Sequence, residues 1–515
     1  MRTASTPLAL RFWLACGLAA CGLAACGPFV PDPTGPGGGP GPGPGAPTLA
    51  IPFKLGTTES VEGRGIVVAG DGVVLTGWFV GTVDFDPRGT QAGKTSFGAQ
   101  DVVVARYAFD GALDWVVSFG GSGADLPTAI AATPDGGTVV VGYGSGGGLC
   151  GGTVATSHGG RDVLVMKLSA TGDCLWAHLL GGPDDDEARA VAVSPDGAIN
   201  VVGFFAGSAD FDGPGSSLLQ SFGQSDGFLL RLAADGSFLG AVRGGGTDAD
   251  RYTAVAVAPN GEVSVGGEMA GTGSFGSALA PVVLQSAGGT DGVIARYTAL
   301  LGLRWATRLG GPLEDKVATV TSDPSGDVLV AGTFEGTADL DPSGGTSLVV
   351  SQGAADIFLA RYSGVTGQWG GLSRAIGGAG SEGVTRMVLH SSGRLLLTGF
   401  FQGAVDFDPS AAASVTVARG TGGAGDGFLL GLDQQGNYGW VVPIGGTVGG
   451  AQNLSIASDA TVDPIGRVWT TGRFFGRADF DPSGGAAELV ALSGSNIFVS
   501  RYFIDTGAIR TEPLP

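Results

Sequence analysis

Charged and metal-binding side chains are scarce in this chain. Only 14% of its 515 residues are Asp, Glu, Lys or Arg, and it has three histidines, four methionines and five cysteines. With 43% apolar residues, it does not resemble a segment kept unfolded by self-repulsion. Basic residues are the rarer charge. The 27 Lys and Arg against 47 Asp and Glu leave a net charge of -20, which excludes a nucleic-acid binder of the usual basic kind and leaves cationic partners and metal ions open. Long uninterrupted helices are excluded by 98 glycines and 27 prolines, since both residues weaken helix interiors. What remains is a chain that buries a large core while turning often, as short strands joined by tight glycine turns can do.

The amino terminus reads as a signal peptide over residues 1–25. Arg2 and Arg11 precede an apolar stretch from Phe12 to Ala25, shorter than the roughly 20 residues a membrane span needs. Leu18-Ala19-Ala20-Cys21 and Leu23-Ala24-Ala25-Cys26 both resemble the lipobox of bacterial lipoproteins, whose cysteine is acylated and becomes the first residue. Cys26 is favoured over Cys21 because the chain changes character directly after it. Neither is followed by Asp, which by the sorting rule of such lipoproteins points to the outer membrane. Residues 26–47 alternate glycine and proline and are expected to form a solvated tether, about 60 Å long if fully extended at about 3.1 Å per residue.

Beyond the tether the chain repeats. A glycine pair closes an apolar segment at Gly120-Gly121, Gly181-Gly182, Gly245-Gly246, Gly310-Gly311, Gly377-Gly378 and Gly445-Gly446. An earlier copy at Ile51 to Gly56 makes seven units of about 65 residues. The apolar segment carries Trp115, Trp176, Trp305, Trp369 or Trp440 in five of them. Turns of the type Thr133-Pro134-Asp135-Gly136 follow, in which proline presets a negative φ and glycine accepts a positive one. A strand ending in glycine comes next, such as Thr138 to Gly142. The most regular strand closes the unit: Asp101 to Tyr107, Asp162 to Leu168, Asp226 to Leu232, Asp291 to Tyr297, Asp356 to Tyr362, Asp426 to Leu432 and Asn496 to Tyr502.

Four short strands per unit, repeated seven times, predict an all-β fold: a single seven-bladed β-propeller of four-stranded blades spanning residues 48–515, after the signal peptide and disordered Gly/Pro linker. The repeats fall at about 51–115, 116–176, 177–240, 241–305, 306–370, 371–440 and 441–510. This pattern resembles the bacterial SBBP-type β-propeller repeat of secreted and surface proteins. The resemblance covers roughly residues 51 to 510 and implies a fold, with no single activity attached to it.

Candidate chemistry is sparse. Asp84/Asp86, Asp210/Asp212, Asp339/Asp341, Asp406/Asp408 and Asp479/Asp481 form Asp-x-Asp loops that could offer hard oxygen ligands to Ca²⁺, the one cofactor suggested. The competing reading is turn chemistry, in which each Asp bonds its own backbone and the residue between plugs the core. A second acidic set, including Asp125, Asp186, Asp250, Asp315 and Glu382, falls in the loops after the glycine pairs, on the same face. Its blade-by-blade recurrence suits scaffolding better than the carboxylate pair of a glycosidase. His158, His178 and His390 have no metal-ligand spacing. Gly223-Gln224-Ser225-Asp226-Gly227 lacks the helix that a nucleophile elbow requires. Arg106, Lys167, Arg231, Arg296, Arg361 and Arg501 share one face of the regular strand, read as the solvated face of an outer edge strand that discourages edge pairing. Cys150 and Cys174 remain once the signal is removed, and in an oxidising compartment they are expected to form a disulfide.

No polar cluster that breaks the repeat at the inner strand ends emerges from the sequence. The expectation is therefore a non-enzymatic binding or scaffold lipoprotein of the cell envelope. It touches the membrane through its lipid anchor only, has a protein or polysaccharide partner, and binds no nucleic acid. The alternatives are an extracellular polymer-degrading hydrolase or lyase on the same scaffold, and a purely structural envelope protein.

Overall fold

Among the described residues, glycine turns and β-branched runs produce seven four-stranded antiparallel meanders, two of them joined in one eight-stranded sheet and one extended to six strands, with three separate two-stranded hairpins. The computed structural model describes residues 48–503 apart from 57–58, 87, 89–91, 146–147, 151–152, 214–217, 278, 411–413, 419–424, 447–452 and 482–486. The signal-peptide and tether segments, with Cys21 and Cys26, lie outside the described residues. The first sheet holds Val61–Ala69, Gly72–Phe79, Asp101–Ala108 and Leu113–Phe119, and the second Asp125–Ala132, Thr138–Gly144, Asp162–Leu168 and Cys174–Leu180. The third holds Asp186–Val193, Ile199–Phe205, Asp226–Leu232 and Phe238–Gly246, and the fourth Arg251–Val257, Val263–Phe275, Val282–Tyr297 and Leu303–Leu309. The fifth holds Asp315–Ser322, Val328–Asp339, Leu348–Tyr362 and Trp369–Gly378, and the sixth Gly383–Leu389, Leu395–Phe401, Asp426–Leu432 and Tyr438–Ile444. In the seventh, Leu454–Val462, Arg467–Asp479 and Glu488–Phe503 are completed by Thr48–Leu55, from the other end of the chain. The described part of the chain is all-β and propeller-like.

The sheet boundaries shift the phase of the repeat read from sequence. The tryptophan-bearing segment is the fourth strand of the preceding sheet, not the first of its own. Two of the tryptophans bond the next sheet's turn, whereas Trp369 donates to Leu372 O and Ser373 Oγ of its own strand at 3.1 and 3.0 Å. Trp115 donates its Nε1 proton to Ala170 O at 3.0 Å and Trp305 to Gly364 O at 3.0 Å. Their rings lie against Gly172 and Gly367, turn glycines with φ of 84° and 72°, where any Cβ would collide with the indole.

The regular strand is third in its sheet and paired on both sides. Its cation row is therefore neither at an edge nor solvated, correcting the sequence-based expectation. Arg106, Lys167, Arg231, Arg296 and Arg501 are buried. Lys167 Nζ bonds Asp135 at 2.6 Å and Arg231 bonds Asp196 at 3.0 Å, both in Pro-Asp-Gly turns. Others cross to the next sheet: Arg296 to Gly326 O at 3.0 Å, Arg361 to Gln434 O at 2.9 Å, and Arg501 to Phe109 O. Period-two alternation shows that such residues share a face, but not whether that face meets water or a neighbour's carbonyls.

Between successive sheets lie apolar clusters, such as Val139, Val165, Val191, Phe205 and Phe228 between the second and third. Another joins the first and last sheets through Leu55, Val61, Leu75, Trp469 and Val499. The glycine pairs lie at these junctions. A Cβ on Gly182, Gly246, Gly311 or Gly378 would come closer than 3.0 Å to the backbone of Ser208, Thr272, Thr337 or Ala404, in the next sheet's hairpin. That close approach lets Gly310 and Asp339 exchange backbone hydrogen bonds at 3.1 and 3.2 Å, and Gly181 and Asp210 at 3.1 and 3.0 Å. At Gly244–Gly246 the same contact lengthens into a ladder with Gly273–Phe275, which fuses the third and fourth sheets. Replacing Gly311 by Ala is expected to cost about 3 kcal/mol, whereas Gly93→Ala, at a hairpin glycine whose Cβ would meet nothing, should stay within about 0.5 kcal/mol. Urea denaturation of the two variants checks this.

Candidate functional site

The Asp-x-Asp loops are the first candidates, and their carboxylates face inward to their own backbone. Asp84 Oδ1 accepts the N–H groups of Asp86 and Ala92, both at 3.0 Å. Asp339, Asp406 and Asp479 do the same, each accepting from the residue two on and from the far side of the hairpin at 2.8–3.0 Å. Asp210 accepts from Asp212 N at 3.1 Å. The second aspartates Asp86, Asp341 and Asp408 accept from Arg88, Ser343 and Ser410 at 2.8–2.9 Å. Asp481, the second aspartate of the last loop, donates its N–H to Asp479 Oδ1 at 3.0 Å. Burial raises the pKa of the nearby Tyr502, and the charges of Asp479 and Asp481 push it the same way.

The intervening Phe85, Phe211, Leu340, Phe407 and Phe480 are buried. Tyr107 donates its hydroxyl proton to Phe85 O at 2.8 Å, and Tyr362 to Leu340 O at 2.8 Å. Among the described residues, no group of three or more His, Cys, Asp or Glu gathers as a cation site would require. Asp84, Asp86, Asp210, Asp212, Asp339, Asp341, Asp406, Asp408, Asp479 and Asp481, expected from sequence as Ca²⁺ ligands or turn residues, thus stand in hairpin turns where the first aspartate of each pair accepts backbone N–H groups. The first aspartate of each loop is engaged by its own turn, and each pair, Asp479 with Asp481 included, gathers no third ligand of these types.

Cys150 and Cys174 are disulfide-bonded, their Cα atoms 5.4 Å apart. The bridge ties the second sheet's hairpin to its outer strand, at the place where five of the other hairpins carry Asp-x-Asp. The histidines remain apart. His178 lies beside Trp176 with ring centroids 5.1 Å apart, and burial lowers its pKa. His390 shares a hydrogen bond with Ser392 Oγ at 2.7 Å.

The second acidic set is paired. Asp125, Asp186, Asp250, Asp315 and Glu382 begin or directly precede the innermost strands and are buried, rather than lying in open loops. Each accepts the N–H of the second glycine of its pair at 2.6–2.9 Å. The first glycine is held between two carboxyls: a Cβ on Gly181 would strike Asp162 and Asp186, and one on Gly310 would strike Asp291 and Asp315. Asp291 Oδ1 is buried without a hydrogen-bond partner, whereas Asp315 lies against the Glu335 backbone and the Asp356 and Glu382 carboxyls face each other. Burial pushes Asp186, Asp315 and Glu382 up to about 7 and Asp250 to about 6, with the paired Asp162, Asp291, Asp356 and Asp226 pushing the same way. The seventh sheet has an amide here, Asn496, the nearest neutral analogue of a protonated carboxyl.

The repeat breaks at one end of the first two strands of each sheet, here termed the mouth. The residue after the glycine that ends the second strand is Trp78, Tyr143, Phe204, Glu268, Thr333, Phe400 or Arg473, and it pairs across strands with Glu62, Leu126, Glu187, Arg251, Lys316, Gly383 or Ile456. A one-residue bulge in each innermost strand follows at once, and at Arg64 and Arg189 it carries a further guanidinium.

These side chains form three triads of two cations around one glutamate. Glu62 holds Arg64 at 2.8 Å and also Arg473. Glu187 holds Arg189 at 2.7 Å and also Arg161. Glu268 holds Arg251 at 3.4 Å and Lys316 at 3.3 Å. The glutamate side chains are 3–13% exposed and the cations 26–49%. Aromatic rings bridge the triads: Arg161 stacks on Tyr143 at 5.0 Å, while Arg189 and Arg251 lie at 5.3 and 5.2 Å from Phe204. Burial, together with the Arg473 and Arg189 charges, pulls the Arg64 guanidinium below its ordinary value against the opposing pull of Glu62. The polar break that eluded the sequence reading is therefore present. Aligning the seven units on the strand-ending glycine would have exposed it, since the position after that glycine changes chemistry while its neighbours do not.

The carboxyl pairs predict a definite pH response. A group whose folded pKa is raised to about 7 from an unfolded value near 4 holds a proton in the native state that the unfolded chain has released. Its stabilising effect is complete below about pH 4 and fades as pH rises through about 7. The melting temperature should accordingly fall from pH 5 to pH 8, and Asp315→Asn should reduce that fall by raising the value at pH 8. A melting temperature that climbs with pH would contradict the assignment.

No family model matches the chain. It is 30% identical over 138 residues to the regulatory protein FlaEY of Caulobacter vibrioides, a match covering 26% of this chain and 14% of that protein. The chain thus aligns with only a small part of that relative's length. Among solved structures it is similar to Sqt1 from Chaetomium thermophilum, with a TM-score of 0.38, 12% identity and coverage of 90% of this chain and 100% of the other. It is also similar to a gluconolactonase from Xanthomonas campestris, with a TM-score of 0.29, 16% identity and coverage of 70% and 95%.

Proposed function

We propose that the seven sheets are the blades of one closed β-propeller, and that the chain is a non-enzymatic binding lipoprotein of the bacterial cell envelope whose ligand engages the mouth. Three contacts support closure. Thr48–Leu55 pairs with Glu488–Phe503, Ile66 N donates to Asp459 Oδ2 at 3.0 Å, and Glu62 holds Arg473 of the seventh sheet. The SBBP-type resemblance belongs to this reading, as do acylation at Cys26 and an outer-membrane address.

The observation that carries the binding role is the contrast between junction and mouth. Junction residues recur from sheet to sheet and are consumed by backbone hydrogen bonds. Mouth residues differ from sheet to sheet and present half-exposed cations and aromatic rings to solvent, as a recognition surface does. The same contrast weighs against polymer cleavage, because the paired carboxyls resembling those of a glycosidase are buried against glycine, beyond reach of a chain in solution.

Two measurements test the reading. Cells fed an alkyne-tagged fatty acid should label the protein, with label lost in Cys26→Ser and kept in Cys21→Ser; absence of label from the unaltered protein would contradict the anchor. The purified protein should retain polysaccharide of the host envelope on a column and return it with unchanged chain length. Shortened chains would instead make it an enzyme.

A further inference from the structure

Cations outnumber anions at the mouth, against the sign of the chain as a whole. The chain carries -20, yet the three triads place six cations around three glutamates. The exposed Glu314, 3.7 Å from Lys316, and the exposed Asp185, which accepts the Arg161 backbone N–H at 3.1 Å, offset two of the three surplus charges. Each glutamate lies beneath its cations and fixes them, so the guanidiniums face outward with bonding capacity to spare. Nε of Arg64 is buried without a hydrogen-bond partner, and so is Nε1 of Trp78, a residue 8% exposed, while Nε of Arg251 lies 3.4 Å from Glu268 Oε1. A guanidinium offers five donors in a planar fork that matches carboxylate and sulfate oxygens.

We infer that the mouth binds an anionic saccharide chain, one carrying carboxylates or sulfates at regular intervals. This rests on the reading of the mouth as the binding site. The cations lie on six sheets, the seventh and the first to fifth, so a ligand with several anionic groups engages several triads where a single small anion engages one. Saccharide is favoured over acidic peptide by the neighbouring groups. The faces of Tyr143 and Phe204 are covered by guanidiniums, which leaves planar polar surface in place of an apolar side-chain pocket. The half-buried Thr333 hydroxyl is suited to a sugar hydroxyl.

Titration calorimetry of the whole protein at 50 mM salt tests this with four probes: an oligogalacturonate of about six units, a sulfated oligosaccharide, neutral maltohexaose and sodium sulfate. The two anionic saccharides should bind, each at least tenfold more tightly than sulfate. Their affinity should fall at least tenfold between 50 and 300 mM salt, as exposed charge contacts are screened. Arg64→Gln with Arg189→Gln should weaken them at least tenfold, whereas Arg304→Gln, at a surface ion pair with Glu262, should not. The salt series uses unaltered protein and so stands even if the double variant fails to fold.

Whichever anionic saccharide binds more tightly identifies the group as carboxylate or sulfate. Equal binding of maltohexaose, lost in the double variant, would overturn the anionic class while keeping the mouth as the site. Saccharide binding untouched by a folded double variant would overturn the mouth itself. A failure of both anionic saccharides to bind would overturn the inference.

Discussion

The structure depends on a close approach at the sheet junctions, where a glycine pair slips between two buried carboxyls and the backbone of the next sheet's hairpin. No side chain larger than hydrogen fits at Gly310 or Gly311. The carboxyls satisfy the N–H groups exposed by that tight passage, and the hairpin exchanges backbone bonds with the first glycine. Because the apolar clusters are shared between neighbouring sheets, a single sheet has no complete core. Trp115, Trp305 and Arg296 repeat the same logic at the other end of the strands, each reaching into the following sheet's turn. Stability in such an arrangement is largely a sum of neighbour contacts.

Much of this was legible in the sequence because it recurs. Glycine pairs, Pro-Asp-Gly turns and the regular Asp-led strand declare four short strands per unit, and Gly136, Gly197, Gly261, Gly326 and Gly466 all take the positive φ their turns require. The phase was not legible. A periodic chain can be cut anywhere, and only the pairing of Thr48–Leu55 with Glu488–Phe503 settles which strand ends a sheet. The cation row was misplaced for a related reason. A polar face on a strand looks the same in sequence whether it meets water or a neighbour's turn, and Arg296 and Arg501 meet turns.

The mouth was missed because its residues look like noise in the repeat. Glu62, Glu187 and Glu268 do not occupy equivalent positions: the first two are on innermost strands and the third on a second strand, while Arg473 lies on the second strand of the last sheet, far along the chain from Glu62. The triads exist only in three dimensions. Residues that build the junction recur, and residues that face the mouth are free to differ, so an acidic chain can hold a cationic site without disturbing its scaffold. The proton retained at the carboxyl pairs and the charge at the mouth are thus separate uses of acidic residues, one buried against glycine and one placed beneath arginine.

Closure is the central claim, and hydrogen exchange followed by mass spectrometry tests it most directly. If the first and last sheets are joined as described, amides of Thr48–Leu55, Val61–Ala69 and Leu454–Val462 share the slow, cooperative exchange of an interior strand such as Asp315–Ser322, because opening any junction opens the ring. Rapid exchange confined to Thr48–Leu55 and Leu454–Val462, with the middle sheets still protected, would contradict the account and leave an open array of stacked sheets.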